Sequence, residues 1–299
     1  MPGLRTVLPA ILSLGLAVGC ADPALEAGAW TDETVREAVD AAQARLDASA
    51  GGRLVLRAID AHGGLEAWYR APTSAFTWGY ANQEVGLAFA SSLVADNRTR
   101  QVYHDLHTLG PYAEPRPVEG RFAWDGTDAW IAPASAHIPP FNPRFWATTG
   151  YYFELIPFVF ADPGLRYERL PADTLDGRLH ERVRVTFEPG TGDSPLDAYT
   201  VYLDPETSRV AAVRYIVTYG RIEGLTEVPD ETLLRYEGYV TVDGLTVPTR
   251  LRGYPVVEGR AGPQVSEAWA DSLSFRRPFD PSRLEAPAGA RVALSPLGD

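Results

Sequence analysis

The feature that most constrains the fold is the alternation that fills the chain after Pro72. Val183, Val185 and Phe187 alternate with Arg184 and Thr186, the period-two pattern of a strand with one face buried. Tyr199, Val201 and Leu203 face one way and Thr200 and Tyr202 the other, with Asp204-Pro205-Glu206-Thr207 as the turn before Val213, Tyr215 and Val217. Two Asp-Gly pairs, Asp125-Gly126 and Asp243-Gly244, lie between such runs. Gly accepts the positive φ of a tight hairpin turn, so both pairs predict hairpins. Residues 236–252 read most clearly, as a strand, Asp243-Gly244 and a second strand. Consecutive hairpins make a strongly curved antiparallel sheet, and its concave face must be covered by something.

Two helices ahead of the strands are the natural cover. Thr34-Val-Arg-Glu37 has the spacing of a capping box, and Val35, Ala38, Val39, Ala42 and Leu46 follow at helical intervals. This helix is expected to end near Ser49-Ala50-Gly51-Gly52. A second, Leu54 to His62, is closed by Gly63-Gly64, as helix C-termini prefer. A short turn, 65–70, carries Trp68 and Tyr69, and 286–299 read as a loosely held tail.

One segment interrupts the strands. Residues 141–160 hold eight of the chain's 32 aromatic residues. A membrane span needs about 20 apolar residues, whereas 151–160 contain Glu154 and Pro157. Two readings remain open: a short helix plus loop that closes the core with its own rings, or the wall or lid of a cavity for an acyl chain or other apolar ligand.

The N-terminus predicts a destination. Arg5 precedes an apolar run, 7–18, ending in Leu16-Ala17-Val18-Gly19-Cys20-Ala21-Asp22, the layout of a secretory signal. Cys20 is the only cysteine, so it forms no internal disulfide. This stretch resembles the lipobox of bacterial lipoproteins, with Ala17 where Leu is commoner. The resemblance implies a signal peptide, 1–19, lipidation of Cys20 and a tether, 20–30. With Ala at position 21, it also implies the outer membrane, facing the periplasm. A net charge of −12 without a single Lys argues against nucleic acid, where phosphate neutralisation needs clustered cations.

No nucleophile elbow, phosphate loop, Cys-x-x-Cys pair or His-Glu-x-x-His helix occurs. His104 and His107 are the best metal candidates, but residues three apart on a strand point to opposite faces. Asp105 and His107 share a face and suit a hydrogen-bonded pair. His62 reads as a helix-end residue facing free carbonyls. No catalytic residue, metal or cofactor is therefore expected.

Several motifs together resemble a group of bacterial lipoproteins similar in layout to the LolA/LolB-like lipoprotein-sorting proteins. They are Ala58-Ile-Asp-Ala-His62-Gly63-Gly64-Leu-Glu-Ala-Trp68, Trp124-Asp-Gly-Thr-Asp-Ala-Trp130, Tyr151-Tyr152, Pro157-Phe158, Asp162-Pro163-Gly164, Tyr202-Leu-Asp-Pro205 and Val242-Asp-Gly-Leu-Thr-Val-Pro248-Thr-Arg250. The resemblance covers roughly residues 54–255. It implies an incomplete antiparallel β-barrel with helices packed inside and an apolar interior able to hold acyl chains. The length and the aromatic insertion depart from that pattern.

The expected fold is therefore α+β, mainly β: a single domain, 31–285, with a curved sheet whose concave face is covered by the N-terminal helices and an inserted aromatic helix. The leading reading is a monomeric, lipid-anchored, non-enzymatic protein that binds an apolar ligand or a lipidated protein. Phe145, Trp146, Tyr152, Phe153, Phe158 and Phe160 are the expected wall, with Trp68 and Trp78 beneath. The alternative is a scaffolding lipoprotein with a self-filled barrel. A hydrolase would need His62, His104 or His107 to converge with carboxylates in a cleft.

Overall fold

A computed structural model describes residues 31–293 apart from 140, 192, 193, 195, 217 and 220–230. Cys20, the expected signal peptide and the expected tether lie outside the described residues, as do 294–299. Three helices open the fold, α1 (Asp32–Asp47), α2 (Ala50–Ala61) and α3 (Gly64–Arg70). Strands β1 (Thr73–Asn82), β2 (Leu87–Asp96), β3 (Val102–Pro111), β4 (Arg116–Trp124) and β5 (Ala129–Ala132) follow. Then come α4 (Pro143–Glu154) and a 3-10 turn (Phe158–Ala161). The second run is β6 (Leu165–Leu175), β7 (Arg178–Phe187), β8 (Ala198–Leu203), β9 (Val210–Ile216) and β10 (Thr232–Glu237). A small hairpin, β11 (Val240–Val242) and β12 (Leu245–Val247), precedes β13 (Arg250–Val257), β14 (Arg260–Ala261), β15 (Ser266–Ser274) and β16 (Arg291–Ala293).

Fourteen strands form one antiparallel sheet in the order β16-β5-β4-β3-β2-β1-β15-β13-β10-β9-β8-β7-β6, with β14 beside β13. The sheet does not close, because β16 and β6 at its two ends do not pair. The predicted alternation holds: Val183, Val185 and Val201 are buried on the concave side, while Tyr202 packs with Ala212 and Leu233 on the other. The concave face carries the main core and two blocks of cover. Helices α1–α3 lie over the β6–β7 half, and α4 lies over β3, β4 and β5.

Local chemistry explains the helix ends and corrects three expectations. The capping box of α1 is Thr31 with Thr34, not Thr34 with Glu37: Thr31 Oγ1 accepts from Thr34 N at 3.2 Å, and Thr34 Oγ1 from Thr31 N at 3.0 Å. Gly51 and Gly52, expected to end the first helix, lie instead in the first turn of α2, which Ser49 caps by accepting from Gly52 N at 2.9 Å. A Cβ on Gly52 would meet Leu46 O at 2.1 Å, and one on Gly51 the Tyr167 backbone at 2.7 Å. These two glycines let α2 press against α1 and β6. Residues 291–293, expected in a loose tail, pair with β5 as β16. Ahead of them Leu284 O accepts from Trp130 Nε1 at 2.6 Å, so the C-terminal segment lines the convex side.

Residues 236–252 do not make one continuous hairpin. Strands β10 and β13 pair directly, Tyr236 opposite Leu251, and β11–β12 stands off as a separate two-stranded unit. At its tip Asp243 and Gly244 both have positive φ, 52° and 90°, the conformation a two-residue hairpin requires. This tip abuts the end of α2, where Gly63 has φ 124° and a Cβ would lie 2.2 Å from Gly244 O.

Replacing Gly52 with Ala forces backbone against backbone, an overpacking cost of about 1–3 kcal/mol. Thermal unfolding of Gly52→Ala is expected several degrees below wild type.

Candidate functional site

The aromatic segment is the part of the chain that needs most explaining, because a 12-residue helix is marginal on its own. Asn142 caps α4 by accepting from Arg144 N at 2.9 Å, and Pro143 occupies the first turn. Beyond Leu155 the cis Ile156–Pro157 bond separates α4 from the 3-10 turn. The backbone carbonyls along this broken path are met by side chains from the surrounding elements. His104 Nε2 donates to Ala147 O at 2.9 Å, Tyr236 Oη to Phe153 O at 2.9 Å, Tyr167 Oη to Phe160 O at 2.6 Å and Arg45 Nη2 to Ala161 O at 2.8 Å. Arg100 bonds Tyr151 Oη in α4 and pairs with Asp162 just after the 3-10 turn, so one cation holds both ends.

The eight expected wall residues come together in three adjoining clusters. In the first, Trp78 and Trp146 pack with Tyr80, Phe89 and Phe141, and Phe145 stands edge-on to Trp146. In the second, Tyr152, Phe153 and Phe160 surround Tyr199, and Phe153 also meets Tyr215. In the third, Trp68 stacks on Phe158 at 5.0 Å, with His62 edge-on to that ring. Trp68, Trp78, Phe158 and Phe160 are buried, while Phe145 and Tyr152 remain partly exposed.

Those partly exposed rings share one end of the sheet. Tyr80 near the end of β1, Phe187 closing β7 and Tyr215 near the end of β9 are half-buried at this rim, and Phe145 packs against Tyr219 just beyond β9 at 5.3 Å. Exposed Val85, Tyr112, Leu196 and Val257 stand on the surrounding turns. Half-buried rings therefore gather at one end of the interior, its aromatic mouth.

The histidines have structural partners. His104 is fully buried, stacked on Phe122 at 4.0 Å, and its Nδ1 accepts from Ser91 Oγ at 3.0 Å. His107 is exposed and bonds Ser92 Oγ at 2.8 Å, so the two rings lie on opposite faces. Asp105 does not pair with His107 as expected, because Arg283 from the C-terminal segment takes it. His62 does not face its own helix's carbonyls: Nδ1 donates to Thr246 O at 2.7 Å, and Nε2 accepts from Val210 N at 3.3 Å. Among the described residues no three His, Cys, Asp or Glu side chains gather as a metal ion requires. A cleft of about 430 Å³ lined by Asp105, Glu119, Arg121 and Pro133 contains none of the aromatic residues.

Sequence reasoning missed Glu154. It is fully buried at the end of α4, and neither carboxylate oxygen has a hydrogen-bond partner. Burial pushes its pKa well above the ordinary carboxyl range, so it stands as a neutral acid. Trp78 Nε1 and Tyr152 Oη are also buried without partners. The only signal in the sequence is a lone carboxyl within an otherwise apolar run.

Burial holds both His62 and His104 neutral, with pKa lowered to about 4. The unfolded chain takes up these protons from about pH 6.5 downward, so stability is expected to fall as pH drops from 6.5 to 4, by about 1.4 kcal/mol per pH unit per histidine. Urea titrations of wild type and His104→Gln across this window are expected to show a shallower slope in the variant. Glu154 acts oppositely: its raised pKa costs stability as pH rises above the unfolded value of about 4.3. The stability of Glu154→Gln relative to wild type is thus expected to increase from pH 4 to pH 7.

No family model matches this chain, and no curated protein matches it. Among solved structures it is similar to a LolA superfamily protein from Nitrosomonas europaea (10% identity, TM-score 0.48, covering 80% of this chain and 98% of that one). It is also similar to a DUF1329 family protein from Desulfovibrio piger (10% identity, TM-score 0.46, 84% and 97%). A third is the Mycobacterium tuberculosis lipoprotein LppX (6% identity, TM-score 0.27, 76% and 97%). Likeness at this level carries no inference about ligand or activity. Among the described residues no helix is long and apolar enough to cross a membrane.

Proposed function

We propose that this chain is a lipid-anchored, non-enzymatic envelope protein that holds an apolar ligand, an acyl chain or a lipid, between the aromatic segment and the concave face of the sheet. The observation that supports this reading is the mouth: half-buried rings at one end of an open sheet, continuous with the core and ringed by exposed apolar side chains. Contiguous apolar surface of this kind marks binding sites, and barrel mouths are common ligand sites. Each methylene buried there contributes about 0.8 kcal/mol, which favours a chain over a polar ligand of equal size. Anchoring through Cys20, at the outer membrane and facing the periplasm, rests on the lipobox-like stretch.

A second reading, a scaffold with a self-filled interior, is favoured by Trp68, Phe141, Phe158 and Phe160, which are wholly buried against their neighbours. Native mass spectrometry of Cys20→Ala protein purified from the periplasm, followed by lipid extraction, separates the two. A stoichiometric lipid is expected, and a Phe145→Ala/Tyr152→Ala double variant at the mouth is expected to bind it about tenfold more weakly, a difference of about 1.4 kcal/mol. A mass free of ligand in wild type, unchanged after adding fatty acid or phospholipid, would favour the scaffold.

A further inference from the structure

Glu154 has no task in the fold. Among the described residues it caps no helix and joins no ion pair, and it is not needed to fill space, since Gln or Leu has similar bulk. A buried carboxyl without a hydrogen-bond partner costs free energy, and such a group in a native interior calls for an explanation.

Its surroundings say what it faces. Gly150 lies over the Trp78 ring, where a Cβ would come within 2.7 Å of Cδ2. Glu154 is one helical turn further along the same face of α4. Tyr236 Oη donates to Phe153 O, the carbonyl just before Glu154, at 2.9 Å, which sets β10 beside this end of α4. Between Trp78 on β1 and Tyr236 on β10 run only β15 and β13. Ala270 stands opposite Trp78, and Ala268 opposite both Tyr80 and Leu251. The face of α4 that carries Gly150 and Glu154 thus lies over a part of the sheet where Ala268 and Ala270 stand between larger residues. The Tyr236 phenol is committed elsewhere, to Phe153 O.

We propose that Glu154 forms the polar end of the interior site and hydrogen-bonds the uncharged oxygen head, a hydroxyl or a carbonyl, of a ligand whose chain lies among the rings. This rests on the reading of the interior as an apolar-ligand site and narrows it to a class. A protonated carboxyl donates one hydrogen bond and accepts others, which matches a hydroxyl or an ester carbonyl. An anionic head lacks a counter-charge here, because no cation pairs with Glu154. A cationic head would require Glu154 to ionise where no hydrogen bond reaches its carboxylate, leaving a buried ion pair without further support.

Displacement of the fluorescent probe N-phenyl-1-naphthylamine by 1-dodecanol, n-dodecane and dodecanoate tests this on the Cys20→Ala chain. Wild type is expected to bind dodecanol about tenfold more tightly than dodecane and to bind dodecanoate more weakly than dodecanol. Glu154→Gln, which keeps a neutral hydrogen-bonding group, is expected to retain that order. Glu154→Leu is expected to bind dodecanol no better than dodecane, with its dodecane affinity unchanged. A Leu variant that keeps the dodecanol preference overturns the assignment, and so does a wild type that prefers dodecanoate. A wild type that takes up the probe but shows no preference for dodecanol removes the polar end and leaves the apolar site standing. One that binds neither the probe nor any of the three ligands removes both.

Discussion

A sheet that curves without closing must have its concave face filled, and most of this structure answers that constraint. The strands from β16 to β6 enclose too wide a space for aliphatic side chains from the sheet alone. Aromatic rings cover the most area per residue, and the aromatic segment brings them in on a helix and a 3-10 turn. Non-ladder backbone inside an apolar interior then exposes carbonyls that need donors. His104, Tyr236, Tyr167 and Arg45 supply those donors from four different elements. The hydrogen-bond pattern around α4 is thus a consequence of how the interior was filled.

A second junction ties the cover to the sheet. His62 at the end of α2 bonds Thr246 through both its ring and its main chain, with Thr246 N donating to His62 O at 2.7 Å. Gly63 makes room for the Gly244 carbonyl at the tip of the β11–β12 hairpin. Asp243 in turn accepts from Phe275 N at 3.0 Å and pairs with Arg276. The His-Gly-Gly end of α2 and the Asp-Gly turn, about 180 residues apart in the chain, form one contact. That contact fixes where the helices sit over the concave face.

Much of this was legible in the sequence. Period-two alternation marks β7 and β8 because their two faces meet different surroundings, and Asp243-Gly244 marks its turn because few other pairs tolerate positive φ twice. Gly51-Gly52 misled because glycine signals a helix end locally, whereas here the requirement is close approach to Tyr167 and Leu46, which are remote or on another helix. The small β11–β12 unit was hidden inside residues 236–252 because local pattern does not say which strands pair. The eight wall residues were legible as apolar, but their division into core and mouth depends on where α4 docks. Glu154 and Arg100 were not legible as partners of the segment, since a charged residue in a sequence carries no sign of whether it is buried.

The ion pair between Arg70 and Asp32, at 2.7 Å, has a directional consequence. It places the start of the described chain beside the residues that lead into β1, while the aromatic mouth lies at the end where β1 stops. A ten-residue strand spans about 33 Å, roughly the thickness of a bilayer's hydrocarbon core. If the lipid proposed at Cys20 holds the chain, a domain standing upright on that membrane points the mouth away from its surface. Cargo would then be exchanged with whatever stands opposite, and loading from the home membrane would require the domain to turn over on its tether.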